Sequence, residues 1–340
     1  MTRRNLLNKA ILPFVCVLVL SLTACAPRVQ HLGTGKTTPS IAVSSSAEAT
    51  FSSVDGAQLP LRVWAASGVP KAVIVALHGF NDYRNAFHMP GKWWAQHGVT
   101  TYAYDQRGFG ASAQPGVWAS EEALVADVHA VVRAASAKHP NEPLYLLGES
   151  MGGAVVMSAV AALDGQLKVD GLVLTAPAVW GWSQLNPMYK SVLWLSAHTL
   201  PWKTVTGEGV KVTPSDNIKM LRALGRDPLV IKATRIDAIY GLVGLMERAH
   251  QAAPNLRKPM LVLYGAGDDI IPPHAFDSMV ETLKGPRRIV RYQYGYHMLL
   301  RDLQAETVWR DVLAWMVDRE GPLPSGEEVT GPTKTATTDQ

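Results

Sequence analysis

Residues 144–153 constrain the fold more than any other stretch of the chain. Leu144-Tyr145-Leu146-Leu147 is an apolar run of strand character that ends at Gly148, and a small-residue segment suited to a helix, Met151 to Leu163, begins straight after it. Between them Gly148, Ser150 and Gly152 hold Gly-x-Ser-x-Gly spacing. A strand that turns sharply into a helix around a serine is a nucleophile elbow. The glycines are needed because the turn is tight and neighbouring chains pass close by. The turn lifts the Ser150 hydroxyl out of the sheet to a helix N-terminus, where the dipole favours developing negative charge. Taken alone the pattern fits a tight connection with an incidental serine; two distant partners decide for a catalytic one.

The rest of the chain alternates strands and helices around this elbow, the rhythm of a mostly parallel sheet covered on both faces. Residues 51–64 read as a hairpin with Asp55-Gly56 at its turn, and 71–77 as a continuous apolar strand. A helix is predicted over 85–97, a strand over 99–104, a long amphipathic helix over 119–138 and a strand over 169–175. From Pro177 to Pro254 the rhythm breaks into several short helices carrying Trp180, Trp182, Trp194, Trp202, Met188, Met220 and Met246. Such an insertion after a sheet strand reads as a cap. Most of these side chains are expected in its own small core, with some facing an acyl chain. Strands return at 260–264 and 287–294, and a helix over 300–319 closes the fold.

Three residues follow the order Ser…Asp…His of an activated nucleophile, its orienting acid and its base. A serine hydroxyl is a weak nucleophile until a base removes its proton, and imidazole titrates near neutrality. His297 stands in a turn after the last strand and is the candidate base. Asp268 and Asp269 compete as the acid; Asp268, which begins Asp-x-Ile-Ile-Pro, has the better register. The backbone N–H groups of Phe80 and of Met151, the residue after the serine, are the candidate oxyanion donors. His78, in the sharp turn that carries Phe80, is read as structural. Asp105 and Arg107 are expected to pin the loop over 105–112.

His78-Gly-Phe-Asn, Asp105-Gln-Arg-Gly-Phe-Gly-Ala-Ser, Gly148-Glu-Ser-Met-Gly-Gly, Asp227-Pro-Leu and Tyr296-His-Met together resemble the monoacylglycerol lipase and lysophospholipase (serine aminopeptidase-like) branch of the α/β-hydrolases. The resemblance spans about 49–319. It implies an α/β-hydrolase fold with an inserted helical cap over 177–254 that faces a lipid acyl chain. It also implies Ser150 as nucleophile, Asp268 as acid, His297 as base and Phe80 and Met151 as oxyanion donors. No cofactor is called for. The chain departs from the animal lipases in its N-terminus and its Trp-rich cap, which leaves the substrate head group open.

At the N-terminus Arg3, Arg4 and Lys9 precede an apolar run from Ala10 to Leu20, too short for a comfortable membrane span. Leu22-Thr-Ala-Cys25 resembles the lipobox of bacterial lipoproteins, which implies removal of residues 1–24 and acylation of Cys25. Residues 2–7 loosely resemble a twin-arginine signal. The other cysteine, Cys16, would leave with the signal, so the body needs no disulfide in an oxidising compartment. The net charge of +4 falls to +1 once Arg3, Arg4 and Lys9 are gone, and nucleic-acid binding has no electrostatic case. Residues 25–48 read as a flexible tether, and 320–340 as a disordered polar tail. The expected location is the cell envelope, anchored to the membrane. The outer membrane is favoured, because residue 26 is alanine rather than the aspartate of an inner-membrane retention signal.

The leading expectation is a serine esterase acting on a monoacylglycerol or lysophospholipid. An aminopeptidase or amidase on the same scaffold would need an acidic anchor for an amine, for which Asp216, Asp227, Asp237 and Glu247 are available in the cap. A non-catalytic lipid-binding lipoprotein is the third class.

Overall fold

Short apolar runs bounded by Gly, Pro or Asp become the strands of one large sheet. The computed structural model describes residues 26–44, 47–163, 166–209 and 211–329. In chain order the elements begin with strands β1 (Val29–Gln30), β2 (Ser40–Val43), β3 (Glu48–Ser52), β4 (Gln58–Trp64) and β5 (Ala72–Leu77). Helix α1 (His88–Gln96), β6 (Val99–Tyr104), β7 (Trp118–Ala119), α2 (Glu121–Lys138), β8 (Leu144–Glu149), α3 (Met151–Ala162) and β9 (Gly171–Thr175) follow. Between β9 and β12 lie α4 (Pro187–Thr199), β10 (Thr204–Thr206), α5 (Ile218–Arg226), β11 (Ala233–Arg235) and α6 (Ile236–Ala252). The chain then continues through β12 (Met260–Gly265), α7 (Pro273–Thr282), β13 (Arg287–Tyr292) and α8 (Ala305–Val317).

The main sheet has nine strands in the order β13-β12-β9-β8-β5-β6-β4-β3-β2. The strands from β13 to β6 pair in parallel, and β4, β3 and β2 add an antiparallel flank. Every residue of β5, β6, β8, β9 and β12 is buried, as continuous apolar strands require when helices cover both faces. One apolar cluster gathers α2, α3, α6 and α7 on one face, and a second gathers α1 and α8 on the other. Asn186 starts α4 by accepting from the Met188 and Tyr189 N–H groups, with Pro187 at the first helical position. The cap is not helical throughout: β10 and β11 pair antiparallel across it, a detail its mixed composition hides.

Two expectations are corrected. The segment before residue 48 is not a free tether over its described part. β2 extends the main sheet by pairing with β3, and Ile41 turns its side chain into the core. β1 pairs with β7, outside the main sheet. The strand pattern Ile41-Ala-Val is short and flanked by Ser and Thr, so only the open edge of β3 reveals its use. The tail also packs as far as it is described. Leu323 is buried, Arg288 forks onto Glu328, and Val329 N–H donates to Ile289 O at 2.8 Å. Residues 330–340, like the proposed signal and Cys25, lie outside the described residues.

The loop over 105–112 is pinned by charge. Arg107 forks onto Asp127 and, at 2.8 and 2.9 Å, onto Asp55. Its guanidinium holds the Asp55 carboxyl far below the usual carboxylate range. Asp55→Asn is therefore expected to lower the unfolding free energy at neutral pH by about 1–3 kcal/mol. The folded-state value is depressed, so this stability is present above the unfolded value near 4 and drains away as pH falls towards the folded one. Urea unfolding at stepped pH should show the gap between parent and variant closing below about pH 4.

Candidate active site

The elbow forms because β8 must hand over to α3 with no room for side chains. A Cβ on Gly152 would fall onto the Leu77 carbonyl oxygen, and one on Gly148 would lie 2.5 Å from the Gly152 backbone. Ser150 sits between them at φ 53° and ψ −116°, a left-handed conformation that costs about 1–3 kcal/mol for a residue with a side chain. Its backbone is held from three sides. Ser150 N–H donates to Thr175 O at 2.9 Å, and Ser150 O accepts from Ala178 N–H at 3.0 Å and Ala154 N–H at 3.2 Å. Although it stands at the N-cap of α3, its side chain makes no capping hydrogen bond. Gly152→Ala is expected to cost several kcal/mol or to prevent folding, because backbone rather than a flexible side chain blocks the added methyl. Thermal unfolding of the purified variant measures this.

β5 ends beside the elbow, its Leu77 in register with Gly148. A Cβ on Gly79 would lie 3.4 Å from Ser150 Cβ, so the 78–81 turn passes directly over the serine. His78 shapes that turn. Its Nδ1 faces Gly79 O at 2.8 Å and its Nε2 accepts from Gln106 N–H at 3.0 Å. Both ring nitrogens are therefore used, and burial pushes the imidazole towards the neutral form. Among the described residues, neither Phe80 N–H nor Met151 N–H donates to a loop or side-chain acceptor.

The other two candidates meet on the next loops. Gly265 and Gly295 let β12 and the turn after β13 approach so closely that a Cβ on Gly265 would lie 2.5 Å from the Gly295 backbone. Gly267 N–H donates to Gly295 O at 2.9 Å. Across this seam His297 Nδ1 bonds Asp268 Oδ2 at 2.9 Å, and both side chains are buried. The second Asp268 oxygen accepts from Ile270 N–H at 2.8 Å and Ile271 N–H at 3.0 Å. Asp269 is exposed and accepts at long range from Thr213 N–H. Of the two acids, the fold brings Asp268 to His297.

Ser150, His297 and Phe80 line one cavity of about 350 Å³. Trp180, Leu242 and Met246 bring the inserted segment over it. The other large apolar residues of the insertion go elsewhere. Trp182 and Trp194 border an open hollow of about 670 Å³ on its surface, Met220 lines a separate cavity of about 400 Å³, and Met188 and Trp202 are exposed.

A residue that pattern reading passes over stands at the centre. Arg301, buried in the turn after His297, donates to Asp82 at 2.6 Å and to Glu149 at 3.0 Å. It thereby joins the turn that carries Phe80, the residue before Ser150, and the loop that carries His297. Burial works against its charge, but Asp82 and Glu149 outweigh that and hold it protonated more firmly than usual. Burial pushes the Glu149 carboxyl up, and the Arg301 charge opposes the shift. Only its position four residues after His297 could have marked Arg301 in the sequence.

The family described as serine aminopeptidase, S33, matches residues 68–304. The chain belongs to this family. Among its relatives, the monoacylglycerol lipase of Mycolicibacterium smegmatis (strain ATCC 700084 / mc(2)155) is 27% identical over 287 residues, covering 81% of this chain and 98% of that one. The monoglyceride lipase of Mus musculus is 29% identical over 276 residues, covering 78% and 88%. A soluble variant of monoglyceride lipase from Saccharomyces cerevisiae, solved in complex with a substrate analog, superposes with a TM-score of 0.68 at 18% identity, covering 86% of this chain and 99% of that one. The fold is that of the α/β-hydrolases, and this S33-family chain is a serine ester hydrolase.

Proposed function

We propose that the protein releases a fatty acid from a single-chain lipid ester, a monoacylglycerol or a lysophospholipid, through an acyl-enzyme on Ser150. The observation that carries this reading is the cavity in which Ser150 and His297 face apolar side chains of the cap. His297 takes the hydroxyl proton as Ser150 Oγ attacks the ester carbonyl carbon. Asp268, fixed by two backbone N–H groups, holds Nδ1 protonated so that Nε2 is the accepting nitrogen, and it stabilises the imidazolium. The Phe80 and Met151 N–H groups receive the charge that develops on the carbonyl oxygen. The tetrahedral intermediate collapses, the alcohol leaves with the proton from His297, and a water activated by the same imidazole hydrolyses the acyl-enzyme.

The family description names an aminopeptidase, which needs a free carboxylate for the substrate amine. The two acids in the cavity wall, Asp82 and Glu149, are both bound by Arg301. Of the four candidate anchors in the cap, Asp227 accepts from Tyr83 OH, Asp237 from Arg235 and Glu247 from Ser183, and Asp216 accepts from Leu303 N–H. The site therefore suits an uncharged acyl chain better than an ammonium group.

Membrane anchoring through an acylated Cys25, with the body in the cell envelope and the outer membrane favoured, completes the proposal. It rests on the lipobox-like sequence and suits a lipid substrate. The test is fatty-acid release from a panel of 1-monoacylglycerols, lysophospholipids, triacylglycerols and short p-nitrophenyl esters. A preference for monoacyl lipids is expected; preference for an aminoacyl-naphthylamide over every ester would overturn the reading.

A further inference from the structure

The first described residues are tied to the cap. Arg28 N–H donates to Asp237 Oδ2 at 3.1 Å, and the Arg28 side chain reaches Gln114 at 3.2 Å. Gln30 donates to Val117 O at 2.7 Å, and its own carbonyl accepts from Ser120 N–H. Asp237, buried, is gripped from the other side by Arg235 at 2.9 and 2.5 Å. Asp237 opens α6, the helix that carries Leu242 and Met246 over the cavity. Its backbone N–H bonds Pro201 O, and Ile236 N–H bonds Lys203 O. The foot of α6 thus holds both the start of the described chain and the turn that presents Trp202.

That turn belongs to an exposed apolar face. Met188, Val192 and Leu195 follow one another at helical spacing along α4, and Leu200, Trp202 and Val205 extend them; all are between 45% and 61% exposed. A concentration of exposed apolar side chains of this kind marks a contact surface. Residues 1–25 precede it, and Cys25 stands three positions before Arg28. An extended chain of that length reaches only about 10 Å.

We propose that residues 26–30 are a short strap that fixes the acylated Cys25 at the foot of the cap and so lays the face of α4 and Trp202 on the surface of the lipid bilayer. The partner is the bilayer itself, because acyl chains attached this close leave no other surface within reach of the cap. Lys203, exposed beside Trp202, suits anionic head groups. The enzyme is thereby held cap-down, in contrast to a body that tumbles on a long leash. This inference rests on the reading of Cys25 as acylated.

Once Cys16 is removed and Cys25 acylated, the chain has no other thiol, so a single added cysteine can be labelled. The full chain is exported, purified with its lipid and reconstituted in phosphatidylethanolamine–phosphatidylglycerol vesicles carrying a doxyl-labelled acyl chain. An environment-sensitive fluorophore is attached in Leu195→Cys, Trp202→Cys and Val69→Cys variants. Val69 is 82% exposed and precedes β5, at the end of the sheet away from Ser150. The label should be quenched at 195 and 202 and unquenched at 69. Inserting a Gly/Ser spacer of about 12 residues, with a coil reach of about 20 Å, after Ala26 should keep the chain on the vesicles but abolish the difference. Chains that float with the vesicles but show no difference between 202 and 69 overturn the inference alone. A difference that survives the spacer overturns the role of the strap. Chains that do not float overturn the acylation reading and the inference with it.

Discussion

Ser150→Ala is expected to lower kcat/KM for ester hydrolysis by roughly 10⁴- to 10⁶-fold, the loss seen when a serine nucleophile is removed from a preorganised site. Ala keeps a Cβ and carries no hydrogen bond that the elbow needs, since the constraints at this position are made by the backbone. Urea unfolding should therefore be nearly unchanged, and loss of activity cannot be laid to misfolding. His297→Ala should fall in the same range, and the double variant should be little worse than either single one, because the two groups act as a unit. A fluorophosphonate probe should label the parent and leave Ser150→Ala unlabelled. Activity within about tenfold of the parent, some 1.4 kcal/mol of barrier, would mean that another group attacks the ester.

Arg301→Met is expected to cost about 3–5 kcal/mol of stability, measured by urea unfolding. Removing the guanidinium leaves Asp82 and Glu149 facing each other in a buried site with no cation between them. Glu149 is already pushed towards its neutral form by burial, so part of the cost is relieved by proton uptake, and the variant should lose less at mildly acid pH than at neutral pH. Arg301→Lys keeps the charge but not the fork that spans both acids, and should fall between. Activity should drop along with stability, because the same guanidinium ties the Phe80 turn and the Ser150 elbow to the His297 loop. Adding Asp82→Asn and Glu149→Gln to Arg301→Met should recover much of the stability and little of the activity. Full recovery of both would reduce Arg301 to a counterion.

Sequence by itself determined whatever depends on neighbouring residues. The elbow is legible because strand, glycines, serine and helix must be contiguous for the turn to close. The central strands are legible because burial on both faces demands unbroken apolar runs. The order of Ser150, an acid and His297 follows from the order of the strands that carry them. Tertiary structure decided what depends on residues far apart in the chain. Asp268 and Asp269 are alike in the sequence, and only the seam between Gly265 and Gly295 turns one of them to His297. Arg301 looks like any surface cation until the fold buries it between two acids that stand 219 and 152 residues before it in the chain. Residues 26–44 and 320–329 are too polar to announce themselves, and they order because an open strand edge, a buried Asp237 and an Arg288 fork are waiting for them. Local pattern records what a segment can become; long-range contacts, made only once the sheet exists, select what it does become.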